Sequence, residues 1–143
     1  KDDLSLLCNF VKDVDFVLNL LPYTNKTKSI FNKKVLGKMK NTSYIINIGR
    51  GETVMEEDLV EALQNNWIGG AGLDVFENEQ KLPKSPLNDD SPLWDMDNVI
   101  ITPHIAGWSN DYWSKQISLF RDNLKRYEES EEMLNIINLK RGY

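Results

Sequence analysis

Ionisable side chains follow three short apolar runs of the sequence, at points where strands would end. Arg50 stands between two glycines just after one run, and His104, the only histidine of the chain, follows another. A third run closes at Asp74, with Glu79 five residues later. In an open parallel sheet, ligands gather outside the carboxyl ends of the strands. The positions just after these runs are therefore where chemistry is expected.

These residue types supply what the reduction of a 2-oxo acid by a nicotinamide cofactor needs. The guanidinium of Arg50 offers paired donors that match a carboxylate, and each such charge-assisted bond contributes roughly 1.5 to 3 kcal/mol. A hydride that reaches the carbonyl carbon leaves an alkoxide, and His104 could donate the proton near neutral pH. A carboxylate beside the ring would fix its orientation, and by spacing alone either Glu79 or Glu77 could be that carboxylate.

Each of these residues has a simpler interpretation when it is taken alone. A lone arginine after a glycine is more often a surface or phosphate contact than a substrate ligand. A lone histidine after a proline more often packs or caps, and one acidic residue among 22 carries little information. The chemical interpretation therefore depends on the residues occurring in one pattern.

Apolar strand-like runs alternate with amphipathic helical patterns along the chain. The run 15–21 is apolar at most positions and is closed by Pro22, a pattern typical of a strand buried on both faces. Short strands that alternate with helices indicate parallel β-α-β packing, so the predicted fold class is α/β. Further strands are predicted at 43–48, 68–75 and 98–102, and helices at 4–11, 32–40, 56–65 and 110–129.

Composition and charge argue against several classes of function. The 143 residues suit one globular domain, and 17 basic against 22 acidic residues give a net charge of −5, which disfavours a nucleic-acid partner. No apolar run reaches the roughly 18 to 20 residues of a membrane-spanning helix, and the charged N-terminus is unlike a signal peptide. The single cysteine, Cys8, cannot form an internal disulfide. We therefore expect a cytoplasmic protein without a membrane partner.

Several motifs occur together, in one order, along almost the whole chain. They are Leu21-Pro22 with Thr24, the segment 47–51 around Arg50, Leu73 to Phe76 followed by Glu79, and Pro103-His104 with Gly107. Each motif is weak alone, but in combination the sequence resembles the D-isomer-specific 2-hydroxyacid dehydrogenases. The resemblance runs from about Leu4 to the terminal Arg-Gly-Tyr.

The resemblance implies an activity and a role for each candidate residue. It implies an NAD(P)-dependent oxidoreductase that interconverts a 2-oxo acid and a D-2-hydroxy acid, with NAD or NADP as cofactor and no metal. Arg50 would bind the substrate carboxylate, and Glu79 would pair with His104, the acid or base. Asp74 would hold the nicotinamide carboxamide, and the glycines beside Arg50 would let the backbone approach the ring. The implied cofactor contacts are Leu21, Pro22, Thr24, Ile48, Gly49, Arg50, Asp74, His104, Ala106 and Gly107.

The dinucleotide fingerprint of that family does not occur in this sequence. The fingerprint is G-x-G-x-x-G at a helix start with an acidic residue about 20 positions later, and the cluster at 69–72 does not fit it. We therefore interpret residues 1–108 as the C-terminal half of a Rossmann-type, doubly wound cofactor domain. Residues 109–143 would be a long helix and tail that return to a substrate domain. The expected complete protein is a longer, homodimeric enzyme, of which this chain alone is inactive.

The sequence departs from the family pattern at two places, and two alternative functions are also compatible with it. Gln80 follows Glu79 where the family usually has proline, and the loop before the last strand is lengthened at 85–90, where it is expected on the surface. The segments 91–99 and 134–143 lean toward the glyoxylate and hydroxypyruvate reductases. The alternatives are a cofactor-binding relative of the corepressor kind and a catalytically inert relative. Turnover would separate an enzyme from both.

Overall fold

The computed structural model describes residues 3–79 and 87–143, which contain a four-stranded parallel sheet. The strands lie in the order of the sequence, and they are β1 (Phe16–Asn19), β2 (Tyr44–Asn47), β3 (Gly70–Leu73) and β4 (Val99–Ile101). The register pairs Asn19 with Asn47, Asn47 with Leu73, and Leu73 with Ile101. The carboxyl ends of all four strands therefore form one row at one edge of the sheet. The predicted α/β class is confirmed.

Three helices precede the first three strands: α1 (Asp3–Val11), α2 (Lys33–Leu36) and α3 (Glu56–Gln64). The side chain of Asn32 caps α2 by accepting a hydrogen bond from the backbone amide of Lys34 at 3.1 Å. This helix is shorter than the predicted 32–40 because tighter turns follow it. The amides of Lys38 and Met39 donate to carbonyls only three residues back, which ends the α-helical pattern.

The hydrophobic core lies on one face of the sheet. Val17, Ile45 and Ala71 occupy the same row of β1, β2 and β3, and all three are buried. Burial of a large apolar side chain stabilises the fold by roughly 1.5 to 3 kcal/mol relative to exposure. The helices contribute Val11, Val35, Leu36, Leu59, Ala62 and Leu63 to the same cluster.

The opposite face of the sheet is exposed. Phe16 and Tyr44 are register partners on that face, with stacked rings 5.7 Å apart, and Leu18 and Ile100 are exposed as well. The prediction that the strand at 15–21 is buried on both faces is therefore wrong within the described residues. Exposure alternates along β1 because side chains alternate between the faces of a strand and the core residues of α1, α2 and α3 cover only one of them.

Residues 105–143 form a second compact unit, and the first unit ends at His104. The main element of the second unit is α4 (Tyr112–Glu128), which agrees with the helix predicted at 110–129. The tail folds back on this helix, because Asn123 exchanges two hydrogen bonds with the backbone of Leu134, at 2.7 and 3.1 Å. Within the described ranges, no helix combines the length and the apolar character needed to cross a membrane.

Candidate active site

The loops after β1, β2 and β3 touch one another beyond the carboxyl ends of these strands. A Cβ atom on Gly49 would lie 2.8 Å from the carbonyl oxygen of Leu21, and one on Gly51 would lie 2.0 Å from that of Phe76. Real Cβ atoms do not approach backbone atoms so closely, so only glycine allows these contacts. Close packing of the protein's own backbone thus explains both glycines. The sequence-based reason, that they let the backbone approach the nicotinamide ring, stays a prediction.

Arg50 lies between these two glycines, with an extended backbone and an exposed side chain. Its Nη1 donates a hydrogen bond to the carbonyl oxygen of Gly49 at 2.7 Å. No carboxylate in residues 3–79 or 87–143 forms an ion pair with this guanidinium. A guanidinium carries five N–H donors, so donors remain for the carboxylate of a ligand.

His104 and Glu79 form a hydrogen-bonded pair. The Nδ1 atom of His104 lies 2.7 Å from Oε1 of Glu79, and the other carboxylate oxygen accepts from the backbone amide of Phe76 at 3.4 Å. The carboxylate thus links the ring to the turn that follows β3. Because Nδ1 is engaged, Nε2 is the ring nitrogen that can face a ligand. The histidine side chain is about half exposed, which gives a ligand access to it.

The backbone of His104 adopts an unusual conformation. Its φ of 54° lies in the left-handed region, which costs a residue other than glycine on the order of 1 to 3 kcal/mol. The His104 amide donates to the Thr102 carbonyl at 3.1 Å, so the chain turns tightly around Pro103 directly after β4. Strain of this kind persists where the surroundings fix the conformation, and it is frequent at functional sites.

Asp74 follows β3 directly and is buried, with 3% of its surface exposed. Its backbone amide extends the sheet by donating to the Asn47 carbonyl at 3.0 Å. Its Oδ1 accepts a hydrogen bond of 2.5 Å from the hydroxyl of Thr102. No role for Thr102 was predicted from the sequence, although a hydroxyl immediately before Pro103-His104 is a signal that could have indicated one.

Glu77 serves a different element from Glu79. Its Oε2 accepts from the backbone amide of Glu56 at 3.1 Å, so it caps the start of α3. Of the two carboxylates that spacing left open, the structure therefore brings Glu79 to the ring of His104. Burial, followed by the charge of Glu77, raises the pKa of the Glu56 carboxyl above its ordinary value.

The predicted cofactor residues after β1 lie in a loop closed by Thr27. The hydroxyl of Thr27 donates to the Pro22 carbonyl at 2.6 Å and accepts from the Thr24 amide at 2.8 Å. The backbone amide of Leu21 donates to the side chain of Asn19 at 3.1 Å. These bonds fix the segment 21–24, and its contact with a cofactor stays a prediction.

Other predicted positions lie outside the first unit or outside the described residues. Ala106 and Gly107 belong to the second unit, where the Trp108 amide donates to the Ile105 carbonyl at 2.9 Å and closes a turn around them. Gln80 and the first part of the lengthened loop at 85–90 fall outside the described ranges. In the ranges 3–79 and 87–143, no group of three or more His, Cys, Asp or Glu side chains could hold a metal ion.

Three buried polar residues lie in or beside the Arg50 loop, residues 48–53, and the sequence patterns assigned no role to any of them. They are Asn19, Asn47 and Thr53, whose exposed fractions are 1%, 1% and 0%. Asn19 and Asn47 close β1 and β2 as polar residues on the otherwise apolar face of each strand. A polar side chain at the same position of two neighbouring strands is the sequence signal that could have indicated them.

Comparison with known proteins identifies relatives of this arrangement. Residues 3–106 match the NAD binding domain of the D-isomer specific 2-hydroxyacid dehydrogenases. The chain is 35% identical over 137 residues to glyoxylate/hydroxypyruvate reductase A of Klebsiella pneumoniae, covering 96% of the chain and 41% of that protein. It is 34% identical over 128 residues to the glyoxylate reductase of Korarchaeum cryptofilum, covering 90% of the chain and 37% of that protein.

A solved structure shares the fold over nearly the whole chain. The D-isomer specific 2-hydroxyacid dehydrogenase of Xanthobacter autotrophicus, in complex with NADPH and MES, is 36% identical and superposes with a TM-score of 0.86, covering 98% of this chain and 55% of that one. The chain spans only 37 to 41% of the two curated reductases. Since the match to the NAD binding domain of this family covers residues 3–106, which is most of the chain, the chain belongs to the D-isomer specific 2-hydroxyacid dehydrogenases.

Proposed function

We propose that the complete protein is an NAD(P)-dependent oxidoreductase that interconverts a small 2-oxo acid and a D-2-hydroxy acid. The observation that carries this proposal is the pair formed by His104 and Glu79, with 2.7 Å between Nδ1 and Oε1. Similar proteins support the proposed cofactor and the proposed class of substrate. The Xanthobacter structure holds NADPH, and the Klebsiella and Korarchaeum proteins are reductases of glyoxylate or hydroxypyruvate.

Each of the three candidate catalytic residues has one task in this reaction. Arg50 binds the carboxylate of the 2-oxo acid and sets the direction of its carbonyl group. The Nε2 atom of His104 gives its proton to the carbonyl oxygen as the carbon accepts the hydride, and it takes the proton back in the reverse reaction. Glu79 holds the imidazole ring through Nδ1 and so fixes the orientation of Nε2. Proton donation of this kind accelerates a reaction by roughly 10²- to 10⁴-fold.

We propose that Asp74, which directly follows β3, holds the carboxamide of the nicotinamide, the ring that supplies the hydride when it is bound. A carboxylate oxygen is an acceptor that suits the N–H groups of a carboxamide. The full set of cofactor contacts that we propose is Leu21, Pro22, Thr24, Ile48, Gly49, Arg50, Asp74, His104, Ala106 and Gly107.

We also propose that residues 1–108 are the second half of the cofactor domain and that residues 109–143 return to a substrate domain of the complete, homodimeric, cytoplasmic protein. The curated relatives are longer than this chain, which supports the proposal that the complete protein has further domains. The exposed apolar side chains of Trp113, Ile117 and Phe120 on α4 support further burial in the complete protein. Light scattering of the complete protein should give twice the monomer mass, and a monomer would contradict the dimer.

The proposed activity is tested by oxidation of NADH and NADPH with glyoxylate, hydroxypyruvate and pyruvate. The complete protein should oxidise at least one of the two cofactors with at least one of the acids. Cofactor binding without turnover of any acid would instead favour a relative of the corepressor kind. Absence of both binding and turnover would indicate an inert member of the family.

A further inference from the structure

We propose that Asn19, Asn47 and Thr53 are positioning residues for Arg50. The inference rests on the proposed function, in which the guanidinium of Arg50 binds the substrate carboxylate. Their side chains form a buried hydrogen-bond network that converges on the backbone carbonyl of Arg50. The network fixes the point from which the exposed arginine side chain starts.

The network has two branches that end on the same oxygen atom. In one branch Asn19 Nδ2 donates to Thr53 Oγ1 at 2.6 Å, and this hydroxyl donates to the Arg50 carbonyl at 2.6 Å. In the other branch Asn19 Nδ2 donates to Asn47 Oδ1 at 2.9 Å, and Asn47 Nδ2 donates to the Arg50 carbonyl at 3.2 Å. The Thr53 backbone amide also donates to this oxygen, at 3.2 Å.

Hydrogen counting allows one direction for these bonds. Both hydrogens of the Asn19 amide nitrogen are used, one on Asn47 and one on Thr53. The Thr53 hydroxyl accepts one of them, so its single hydrogen is directed to Arg50. These directed bonds hold the three side chains in one arrangement, and the low-dielectric surroundings strengthen each bond.

The same side chains also fix the backbone on either side of Arg50. Asn47 Oδ1 accepts from the Gly49 amide at 3.2 Å, and Asn19 Oδ1 accepts from the Leu21 amide at 3.1 Å. One network therefore holds the loop after β1 and the loop after β2 together. Apolar residues could fill such interior space at little or no cost in stability, so a network aimed at one carbonyl indicates a role in orientation.

The substitution Thr53→Val isolates this role because it removes the hydroxyl donor and keeps the branched shape. In the complete protein we expect the KM for glyoxylate, or for whichever 2-oxo acid the wild type reduces, to rise roughly 10-fold. The kcat and the dissociation constant of NADPH should change less than about 3-fold. Thr53→Ser restores the donor and should return the KM to within about 3-fold of the wild-type value.

The control variant is Ile68→Val, which truncates a buried side chain outside the network. It should lower the midpoint of thermal unfolding and leave the KM unchanged. If Thr53→Val does not fold, Thr53→Ala removes the same donor with a smaller side chain. An unchanged KM in the folded variant would overturn the inference, as would a KM that Ile68→Val raises equally or that Thr53→Ser fails to restore.

Arg50→Ala separates this inference from the proposed function. If Arg50→Ala raises the KM and the folded Thr53 variants do not, the positioning role fails and the proposed function stands. If the wild-type protein oxidises neither cofactor with any of the three acids, or if Arg50→Ala leaves the KM unchanged, the role of Arg50 fails, and the positioning role fails with it.

Discussion

The structure holds Arg50 and His104 in opposite ways. The carbonyl of Arg50 accepts hydrogen bonds from Asn47 and Thr53, whereas its guanidinium is exposed. The ring of His104 is bonded to Glu79, whereas its backbone has a φ of 54°. Arg50 is thus fixed at its backbone and exposed at its end, where Nη1 donates to the adjacent Gly49 carbonyl. His104 is fixed at its ring and strained at its backbone.

The difference follows from what each residue is proposed to do. A residue that binds a carboxylate needs a fixed origin and enough freedom at its end to adjust to the ligand. A proton donor needs a fixed ring, because proton transfer requires hydrogen-bond distance to the reacting oxygen. The comparison predicts that changes at His104 act on kcat and that changes at Arg50 act on KM.

The largest expected effect is that of His104→Ala on the complete protein. Because this variant has no general acid, its kcat should fall by about 10²-fold or more, with a smaller change in KM. His104→Gln is the matched control, since it can still hydrogen-bond to Glu79 but has no titrating ring. Both variants should be similarly slow in steady-state assays. Full turnover by either would contradict the proposed role.

The variant Arg50→Ala should mainly weaken the binding of the 2-oxo acid. Loss of a charge-assisted bond of about 1.5 to 3 kcal/mol corresponds to a KM that is roughly 10- to 100-fold higher. Arg50→Lys keeps the positive charge but lacks the planar guanidinium. Its KM should therefore lie between those of the wild type and Arg50→Ala. A loss confined to kcat in Arg50→Ala would remove the distinction between the two residues.

Gly51→Ala tests whether close backbone packing holds the Arg50 loop. The new Cβ would lie 2.0 Å from the Phe76 carbonyl oxygen, so the backbone must shift at a cost of roughly 1 to 3 kcal/mol in the free energy of unfolding. Gly72→Ala is the control, because its Cβ would meet only the Ile46 side chain, at 3.8 Å. Urea unfolding should show a loss for Gly51→Ala alone. Equal losses would mean that the loop is not tightly held.

The smallest expected effect concerns Glu56 at the start of α3. Its carboxyl is affected by the charge of Glu77, a residue of the same loop as Glu79. Its pKa is raised in the folded state, so the folded protein binds more protons than the unfolded chain above the ordinary glutamate pKa of about 4.3. Its contribution to stability is therefore largest below that pH and is lost as the pH rises through the folded-state pKa.

Glu56→Gln removes this titration. The variant should lose less stability than the wild type between about pH 4 and pH 7, as measured by urea unfolding at several pH values. Glu57→Gln, at an exposed position of the same helix, is the control variant for the loss of one negative charge. A steeper pH dependence in Glu56→Gln would contradict the assignment.

Local sequence patterns predicted the order of elements and the types of the candidate catalytic residues. The strands at 43–48 and 98–102 and the helix at 110–129 were recognised because apolar periodicity is a property of neighbouring residues. The exposed face of β1 was not recognised, since the same apolar residues suit a strand covered on one face or on both. Only the packing of the three helices distinguishes the two cases.

The contacts that organise the site connect residues far apart in the sequence. Asn19 and Thr53 are separated by 34 positions, and Thr102 and Asp74 by 28. No spacing rule predicts such pairs, because they depend on the register of the strands and on the direction of each side-chain amide. Spacing alone likewise left Glu77 and Glu79 as alternatives; in the structure Glu79 contacts the ring of His104 and Glu77 caps α3.

The most direct test of the central claim is a double-mutant cycle for His104 and Glu79 in the complete protein, measured as kcat at saturating 2-oxo acid. Glu79→Gln alone should lower kcat by roughly 10-fold, since it weakens the contact that orients the ring. Added to His104→Ala, it should change kcat by less than about 2-fold, because it acts only through the ring. Losses that multiply would show that the carboxylate acts independently of His104 and would contradict the account.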